Sequence, residues 1–211
     1  MRNAGQRSAD SSFVSRETLE RLDIYAELLK KWQASINLVS ADTLDQLWER
    51  HFKDSLQLAK LCPQPLNWID MGSGAGFPGL PMAICLTEFD QGWVHLIESN
   101  NKKAAFLRAV IAATGARASV HAQRIEEAVS QLDAPDAISA RALAPLPNLC
   151  ALAAPFAARR ADLSCWFHKG LGYPQEVEAA RRFWEFDLVE HPSTVRDGAA
   201  ILEITQLAPR Q

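Results

Sequence analysis

The sequence predicts an α/β fold: a mostly parallel, seven-stranded Rossmann-like sheet that follows an N-terminal helical extension. Before residue 62, apolar residues recur every three or four positions, as on one face of a helix. After Pro65, short apolar runs alternate with helical segments, and the last two runs have no helix between them. Repeated βα units predict a parallel sheet with helices on both faces, and the final pair predicts an antiparallel hairpin at one edge.

The helical extension is predicted to contain two helices. The apolar stripe of the first comprises Leu19, Leu22, Tyr25, Ala26, Leu29, Trp32 and Ile36. After a break at residues 37–41, Asp42 and Thr43 are expected to cap the second helix, with Gln46 three residues after Thr43. Its stripe comprises Leu44, Leu47, Trp48, Phe52 and Leu56. The prolines at 63 and 65 end it.

Three segments follow from these patterns. The chain is polar from Met1 to Ser12, and residues 1–14 are predicted to form a disordered tail. Residues 15–62 are predicted to form the helical extension, and residues 63–211 one globular sheet domain. Strands are expected at residues 67–71, 93–97, 118–122, 137–139, 163–167, 186–190 and 200–205. Helices are expected at residues 78–87, 101–114, 147–157 and 174–184.

Composition excludes several classes of protein. A net charge of −3 and a pI near 6.0 give no bulk signal for nucleic acid, although a local basic patch remains compatible with it. The four cysteines form no CxxC pair and no zinc-ligand spacing, which predicts a reduced protein without a metal site. No signal peptide or membrane-spanning run is apparent, so we expect a cytoplasmic protein. We also expect a monomer, although nothing in the sequence sets the oligomeric state.

The clearest motif is a glycine loop that follows the first strand and opens a helix. Gly72, Gly74 and Gly76 form a GxGxG pattern that also contains Ser73, with Pro78 in the first turn of the helix. Glycines at these positions permit a tight turn and close approach of a ligand to the backbone. The alternative is a turn without a ligand, but the order strand, loop, helix, strand and acidic residue favours a nucleotide-like ligand.

The spacing of the loop distinguishes between cofactors. Dinucleotide sites use GxGxxG and place pyrophosphate at the helix N-terminus, whereas a nucleoside without phosphates needs only the shorter loop. Glu98, at the end of the second strand, is placed to accept hydrogen bonds from ribose hydroxyls. Together with the C-terminal hairpin, this favours S-adenosylmethionine over a nicotinamide cofactor. Asp70 would then either orient the loop or meet the methionine amino group.

Several segments in order resemble one known family, the bacterial small-subunit rRNA guanine-N7 methyltransferases, also called the glucose-inhibited division protein B family. The resemblance runs from about Tyr25 to Leu207. The segments that carry it are residues 37–40 (NLVS), 50–56 (RHFKDSL), 72–79 (GSGAGFPG), 98–99, 102–103, 106–107, 124–126 (RIE), 139–142 (SARA) and 168–170 (HKG). The RHxxDSL segment together with SRA-like residues 139–142 is more specific than the glycine loop.

This resemblance implies a class I S-adenosylmethionine-dependent methyltransferase that modifies N7 of one guanine in 16S rRNA of the small ribosomal subunit. It also implies that five residues line the cofactor site: Gly72, Phe77, Ile125, Glu126 and Arg141. In sheets of this type the loop after the third strand packs beside adenine, which suits Ile125 and Glu126. The absence of an Asn/Asp-Pro-Pro-Tyr or Pro-Cys motif after the fourth strand argues against amino-group and cytosine-C5 methylation.

Three residues are candidates for work at the reaction centre. Arg141 ends the fourth strand, where ligands of such sheets bind, and would hold the methionine carboxylate, a phosphate or guanine O6. His51 either contacts RNA over the cleft or packs against Asp54 on its own helix. Lys169 is either a phosphate contact or a solvated loop lysine. Other basic residues would complete a rim for rRNA: Arg50, Lys53, Lys102, Lys103, Arg108, Arg124, Arg159 and Arg160.

Three other functions remain open on the sequence. One is methylation of a different substrate, such as a small molecule or a protein side chain. The second is an NAD-dependent oxidoreductase, which the loop spacing and terminal hairpin disfavour. The third is a non-catalytic, cofactor-binding module on the ribosome, which the intact loop together with Arg141 and Lys169 disfavours.

Overall fold

A computed structural model of the chain describes residues 14–64, 66–89 and 91–211. Apart from Val14, the predicted N-terminal tail lies outside the described residues. One mixed sheet in the order β3-β2-β1-β4-β5-β7-β6 dominates the structure. Its strands are β1 Asn67–Met71, β2 Trp93–Ile97, β3 Ala118–His121, β4 Ala137–Arg141, β5 Ser164–Lys169, β6 Trp184–Pro192 and β7 Ala200–Pro209.

The first five strands are parallel, and β7 runs antiparallel to both of its neighbours. This confirms the predicted α/β class and its C-terminal hairpin. The carboxyl ends of β1, β2 and β4 therefore meet at one edge, where ligands of such sheets bind. Four strands extend beyond their expected bounds. β4 continues to Arg141, β5 continues to Lys169, β6 spans Trp184–Pro192, and β7 continues to Pro209.

Helices cover both faces of the sheet. They are α1 Arg16–Gln33, α2 Ala41–Leu44, α3 Lys53–Leu61, α4 Gly79–Cys85, α5 Asn101–Thr114, α6 Ile125–Ala128, α7 Leu146–Ala157 and α8 Tyr173–Ala180. One apolar cluster joins α1, α3, α4 and α5 to one face, and a second joins α7 and α8 to the other. The extension thus shares the first cluster with the sheet, and the boundary at residues 62–63 stays a prediction.

Local capping explains where two of the long helices begin and end. The hydroxyl of Ser15 accepts a hydrogen bond from the backbone N–H of Thr18 at the start of α1. The side chain of Asn100 does the same for Lys102 and Lys103 in α5. That helix ends at Gly115, whose φ of 67° is left-handed, as predicted from its glycine C-cap.

The second helix of the extension differs from the prediction. Thr43 does not cap it but lies within the short α2, and a π-helical turn at Trp48–Phe52 leads into α3. Leu47 and Phe52, five residues apart, are both buried. One π-helical turn accommodates that spacing, which three- and four-residue periodicity does not describe.

The helix expected at residues 174–184 is also too long. It ends at Ala180, and Trp184 begins β6, where it pairs with Pro209 of β7. The helical pattern of the sequence continues past the point at which pairing with β7 takes over. Tertiary strand pairing thus overrides local helix preference here.

The described residues contain no disulfide, no grouped metal ligands and no membrane-spanning helix. Cys62, Cys85, Cys150 and Cys165 are all free. Within residues 14–64, 66–89 and 91–211, no three His, Cys, Asp or Glu side chains are grouped to hold a metal ion. In the same ranges, every helix is too short or too polar to cross a bilayer.

Candidate functional site

A cavity of about 630 Å³ opens at the carboxyl ends of β1, β2 and β4. Its size suits a small-molecule or cofactor site. The sheet domain supplies the glycine loop and the segments after β2, β3 and β4, and the extension supplies residues 38–40 and His51. Predicted site residues in its wall are Gly72, Ser73, Gly74, Phe77, Glu98, Ile125, Glu126, Arg141 and His51.

The glycine loop needs backbone conformations that other residues rarely adopt. The φ angles of Gly72, Gly74 and Gly76 are 64°, 56° and 98°. A Cβ on Gly76 would lie 2.4 Å from Leu80 Cδ1, whereas one on Gly74 would meet no atom closer than 3.7 Å. Gly76 is therefore required by packing beneath the loop, and Gly74 leaves the backbone accessible from the cavity.

Glu98 is built into the wall as the sequence predicted. Its Oε2 accepts a hydrogen bond from the N–H of Gly74 at 2.8 Å, and its Oε1 accepts one from the N–H of Asn100 at 2.7 Å. The side chain is 8% exposed and lines the cavity. Because each carboxylate oxygen has two lone pairs, both oxygens can accept a further donor.

Asp70 lies beneath the glycine loop and is almost fully buried. Its Oδ1 accepts a hydrogen bond from the hydroxyl of Ser139 at 2.7 Å, and its Oδ2 faces Gly79 at the start of α4. Burial raises the pKa of Asp70 from 3.8 to about 6. This placement favours the first of its two predicted roles, orientation of the loop, over contact with a methionine amino group.

The wall after β3 combines apolar and polar groups. Ile125 and Glu126 line the cavity beside Gln123. The side-chain nitrogen Nε2 of Gln123 is buried and has no hydrogen-bond partner among the residues that the structure describes. It is a donor that the sequence reasoning missed, because a single glutamine in a loop carries no motif.

Arg141 is held by the helical extension. Its Nη2 donates to the backbone oxygen of Arg50 at 3.1 Å and to Nδ1 of His51 at 2.6 Å. Its Nη1 lies 3.1 Å from Oδ2 of Asp54 in an ion pair, and the guanidinium sits 5.9 Å from the ring centre of Phe77. Arg141 is thus on the cavity wall with its orientation set by three residues of the extension.

These contacts define the state of His51. Because Arg141 has only donors, Nδ1 of His51 must accept, so Nε2 carries the proton and donates to the hydroxyl of Thr43 at 3.0 Å. Burial, reinforced by Arg141 and Arg50, lowers the pKa of His51 to about 4. The imidazole is therefore neutral and stacks on Phe77, with ring centres 5.0 Å apart.

One predicted alternative was that His51 packs against Asp54. In the structure the two side chains are linked through Arg141, which contacts both. Asp54 pairs with Arg141, and its Oδ2 also lies 3.9 Å from Nε2 of His168, which neighbours Arg141 in the sheet. The sequence named Thr43 only as a helix cap and Asp54 only as a packing partner of His51. The structure instead places Thr43 against His51 and pairs Asp54 with Arg141.

Lys169 does not join the other candidates in the cavity wall. Its Nζ forms an ion pair with Oε2 of Glu176 at 2.5 Å and donates to the backbone oxygen of Ala144 at 3.1 Å. The same Glu176 oxygen accepts from the N–H of Leu146 at the start of α7. Lys169 thus ties β5 to α7 and α8, and its role as a phosphate contact stays a prediction.

The fold and the cavity together define a class. The structure resembles the O-methyltransferase from Bacillus cereus in complex with SAH, with a TM-score of 0.59, 14% identity and 95% and 96% of the two chains covered. It also resembles cofactor-bound Rv0187 from MTB, with a TM-score of 0.62, 15% identity and 96% of each chain covered. The chain therefore has the class I methyltransferase fold.

Sequence comparison then gives the family. The family model described as GidB, rRNA small subunit methyltransferase G, matches residues 18–204. Ribosomal RNA small subunit methyltransferase G of Rhizobium etli is 53% identical over 92% of this chain and 95% of its own. The enzyme of the same name from Sinorhizobium medicae is 49% identical over 100% and 99%. The chain belongs to this methyltransferase family, and the resemblance found in the sequence is confirmed.

Proposed function

We propose that this chain transfers the methyl group of S-adenosylmethionine to N7 of a guanine in the 16S rRNA of the small ribosomal subunit. The observation that carries the proposal is a cavity lined by a glycine loop and by the buried carboxylate of Glu98, in a chain half identical to named rRNA small subunit methyltransferases. The substrate assignment rests on the family, and the cofactor assignment rests on the cavity as well.

The residues of the cavity fit S-adenosylmethionine. Glu98 retains lone pairs for ribose hydroxyls, and the open space beside Gly74 admits a ligand close to the backbone. Ile125 offers an apolar surface for adenine, and the buried Nε2 of Gln123 is a donor for the nucleoside. Arg141 and the extension close the opposite side, where the carboxylate of the methionine portion would sit.

The chemistry asks little of the protein beyond positioning. When bound, the cofactor supplies an electrophilic methyl group. Guanine N7 has an unprotonated lone pair, so the protein needs to hold the nucleophile in line at about 3–3.5 Å and to exclude water. His51 is suited to orient Arg141 rather than to remove a proton, because both of its ring nitrogens are engaged. Arg141 is then a donor for the cofactor carboxylate or for guanine O6.

Basic side chains lie in the cavity wall and on the exposed surfaces of α5 and the extension. Lys103 and Arg124 contribute to the cavity wall, and Lys102 and Arg108 are exposed on α5, with Arg50 exposed on the extension. On a chain with a net charge of −3, this local clustering provides contacts for RNA phosphates. Binding to rRNA releases the counterions condensed on its phosphates, and a higher salt concentration opposes that release. The affinity for rRNA should therefore fall steeply as salt is raised.

The test is transfer of a tritiated methyl group from S-adenosylmethionine. The substrates are naked 16S rRNA and intact small subunits from a strain that lacks this gene, and the label is mapped by aniline cleavage specific for N7-methylguanine. One cleavage site supports enzyme, atom and substrate together. Labelling at another atom, or of neither RNA form while the cofactor still binds, would overturn the substrate assignment and leave the cofactor assignment in place.

A further inference from the structure

One side chain of the helical extension reaches directly into the glycine loop. Tyr25 lies in the middle of α1, is completely buried, and its hydroxyl donates to the backbone oxygen of Ala75 at 2.5 Å. Fifty residues separate the donor from the acceptor. Ala75 is the residue between Gly74 and Gly76, so the bond is made at the centre of the loop.

The ring of Tyr25 is fixed by other aromatic rings. It stacks on Phe77 with ring centres 5.2 Å apart, meets Phe52 edge-on at 5.1 Å, and lies 6.2 Å from Phe106 of α5. Offset and edge-to-face arrangements of this kind are the favourable ones for aromatic pairs. The hydroxyl is thereby held in one place by packing that does not depend on the hydrogen bond itself.

The hydroxyl is also well suited to remain a donor. Burial raises the pKa of Tyr25 well above its ordinary value, so the phenol stays protonated. Ala75 is 8% exposed, and a buried carbonyl that loses its partner carries a desolvation cost. The same contact explains Gly76, because a Cβ there would lie 2.8 Å from the Tyr25 hydroxyl.

The loop is therefore held from two sides. From the cavity, Oε2 of Glu98 accepts from the N–H of Gly74, and from beneath, Tyr25 donates to Ala75. Gly72, Gly74 and Gly76 occupy every second position of the loop, and all three have positive φ. Glycine has wide conformational freedom, so the loop would have many accessible conformations without these bonds. The N–H of Ser73 also donates to the backbone oxygen of Ile97 at 2.9 Å. A loop fixed at these points is preorganised, and a cofactor that binds it does not have to select a rare conformer.

We infer that Tyr25 is a positioning residue for the cofactor, which acts through the Ala75 carbonyl and makes α1 a functional part of the cofactor site. The inference rests on the proposed function, since it names S-adenosylmethionine as the ligand of the loop. Tyr25 lies under the loop and does not contact the cofactor. It acts by raising the fraction of protein molecules in which the glycine loop has the conformation that binds the cofactor.

The test is Tyr25→Phe, which removes the hydroxyl and keeps the stacked ring. We expect the dissociation constant for S-adenosylmethionine, measured by calorimetry, to rise about fivefold to thirtyfold. The KM for the cofactor should rise in parallel, while kcat at saturating cofactor and the KM for rRNA stay within about twofold. Amide hydrogen exchange at residues 72–77 should accelerate, because the loop samples more conformers.

The chain provides a matched control in Tyr173, its other tyrosine. The Tyr173 hydroxyl donates to Oε2 of Glu190 at 2.6 Å on the exposed surface, so Tyr173→Phe removes an equivalent group that neither bonds the loop nor lines the cavity. We expect this variant to bind the cofactor as the unmodified protein does. All binding is measured at a temperature at which circular dichroism shows each protein to be fully folded.

The outcomes separate this inference from the proposed function. If the unmodified protein did not bind S-adenosylmethionine, the proposed function would fail first. If it bound and Tyr25→Phe bound equally well, with only a lower melting temperature, Tyr25 would be a structural residue and the inference would be wrong. A Tyr25→Phe variant that did not fold would also overturn it, because the hydroxyl would then be a requirement of the whole fold.

Discussion

The two walls of the cavity are built in different ways. On the sheet side, the glycine loop and Glu98 are linked by hydrogen bonds between neighbouring strand–loop segments, and Glu98 pairs with backbone N–H groups alone. On the extension side, Arg141 is held by Arg50, His51 and Asp54, about ninety residues away in the chain. The first wall is local in sequence, and the second exists only when the extension docks.

The two walls also respond to pH in opposite directions. Beneath the sheet-side loop, burial raises the pKa of Asp70 to about 6, so the carboxyl stays neutral to a higher pH than usual. On the extension side, burial and Arg141 lower the pKa of His51 to about 4, so the imidazole stays neutral to a lower pH than usual. The sheet-side wall therefore loses stability as pH rises, and the extension-side wall loses it as pH falls.

The largest effect is expected for Arg141→Ala, which removes the cation of the extension-side wall. We expect kcat/KM with rRNA to fall about a hundredfold or more, equivalent to roughly 2.7 kcal/mol, because a preorganised donor at the reaction centre is lost. The fold should survive, as circular dichroism would show. Near-normal turnover would mean that the extension-side wall serves only as a scaffold.

Two controls sharpen that result. Arg16→Ala removes an exposed arginine that pairs with Glu20 on α1 and does not line the cavity, and it should leave turnover unchanged. Asp54→Asn combined with Arg141→Ala removes the carboxylate left without its ion-pair partner. The double variant should regain stability without regaining activity, since an unpaired buried charge is costly to folding and not to catalysis.

Asp70→Asn tests the charge beneath the sheet-side loop. A carboxyl whose pKa is raised to about 6 contributes stability that is present below pH 4 and lost as pH rises through 6. Relative to Asp70→Asn, the free energy of unfolding of the unmodified protein should fall by on the order of 2–3 kcal/mol between pH 4 and pH 7. Urea unfolding across this range checks it, and parallel curves for the two proteins would contradict it.

Glu98→Gln tests the ribose-binding role of the sheet-side wall. The amide oxygen can still accept from one backbone N–H, but the amide nitrogen accepts nothing, so the affinity for S-adenosylmethionine should fall about tenfold. Calorimetry at pH 7 measures it, with Glu17→Gln on the exposed surface of α1 as the control. An unchanged dissociation constant would remove Glu98 from the cofactor site.

The smallest effect is expected from the titration of His51. A histidine whose pKa is lowered to about 4 contributes stability above its ordinary pKa of 6.5, and loses it as pH falls through 4. The stability difference between the unmodified protein and His51→Gln should therefore shrink as pH is lowered, opposite in sign to Asp70. Nitrogen NMR of the imidazole at pH 7 should show a neutral ring protonated at Nε2, and an imidazolium signal would contradict the assigned bonding.

Local patterns in the sequence predicted the sheet-side wall well. Gly72, Gly74 and Gly76 appear as a motif because backbone geometry at each position restricts the residue type, and Glu98 follows at the end of the next strand. For the extension-side wall, the sequence named His51 and Arg141 only as separate candidates for the reaction centre. Nothing in the spacing of His51 and Arg141 shows that their side chains meet, and Thr43 was expected to cap a helix rather than to accept a hydrogen bond from His51.

The sequence by itself determined the α/β class, the order of its strands along the chain and the glycine loop, since these depend on periodicity and on short-range backbone geometry. Only the tertiary structure decided that Tyr25 and Asp54 of the extension serve the loop and Arg141. It also decided that Lys169 turns inward to Glu176. The reason is physical: these contacts join residues on different elements, seven to eighty-seven positions apart, and the docking of elements leaves no periodic signal in the chain.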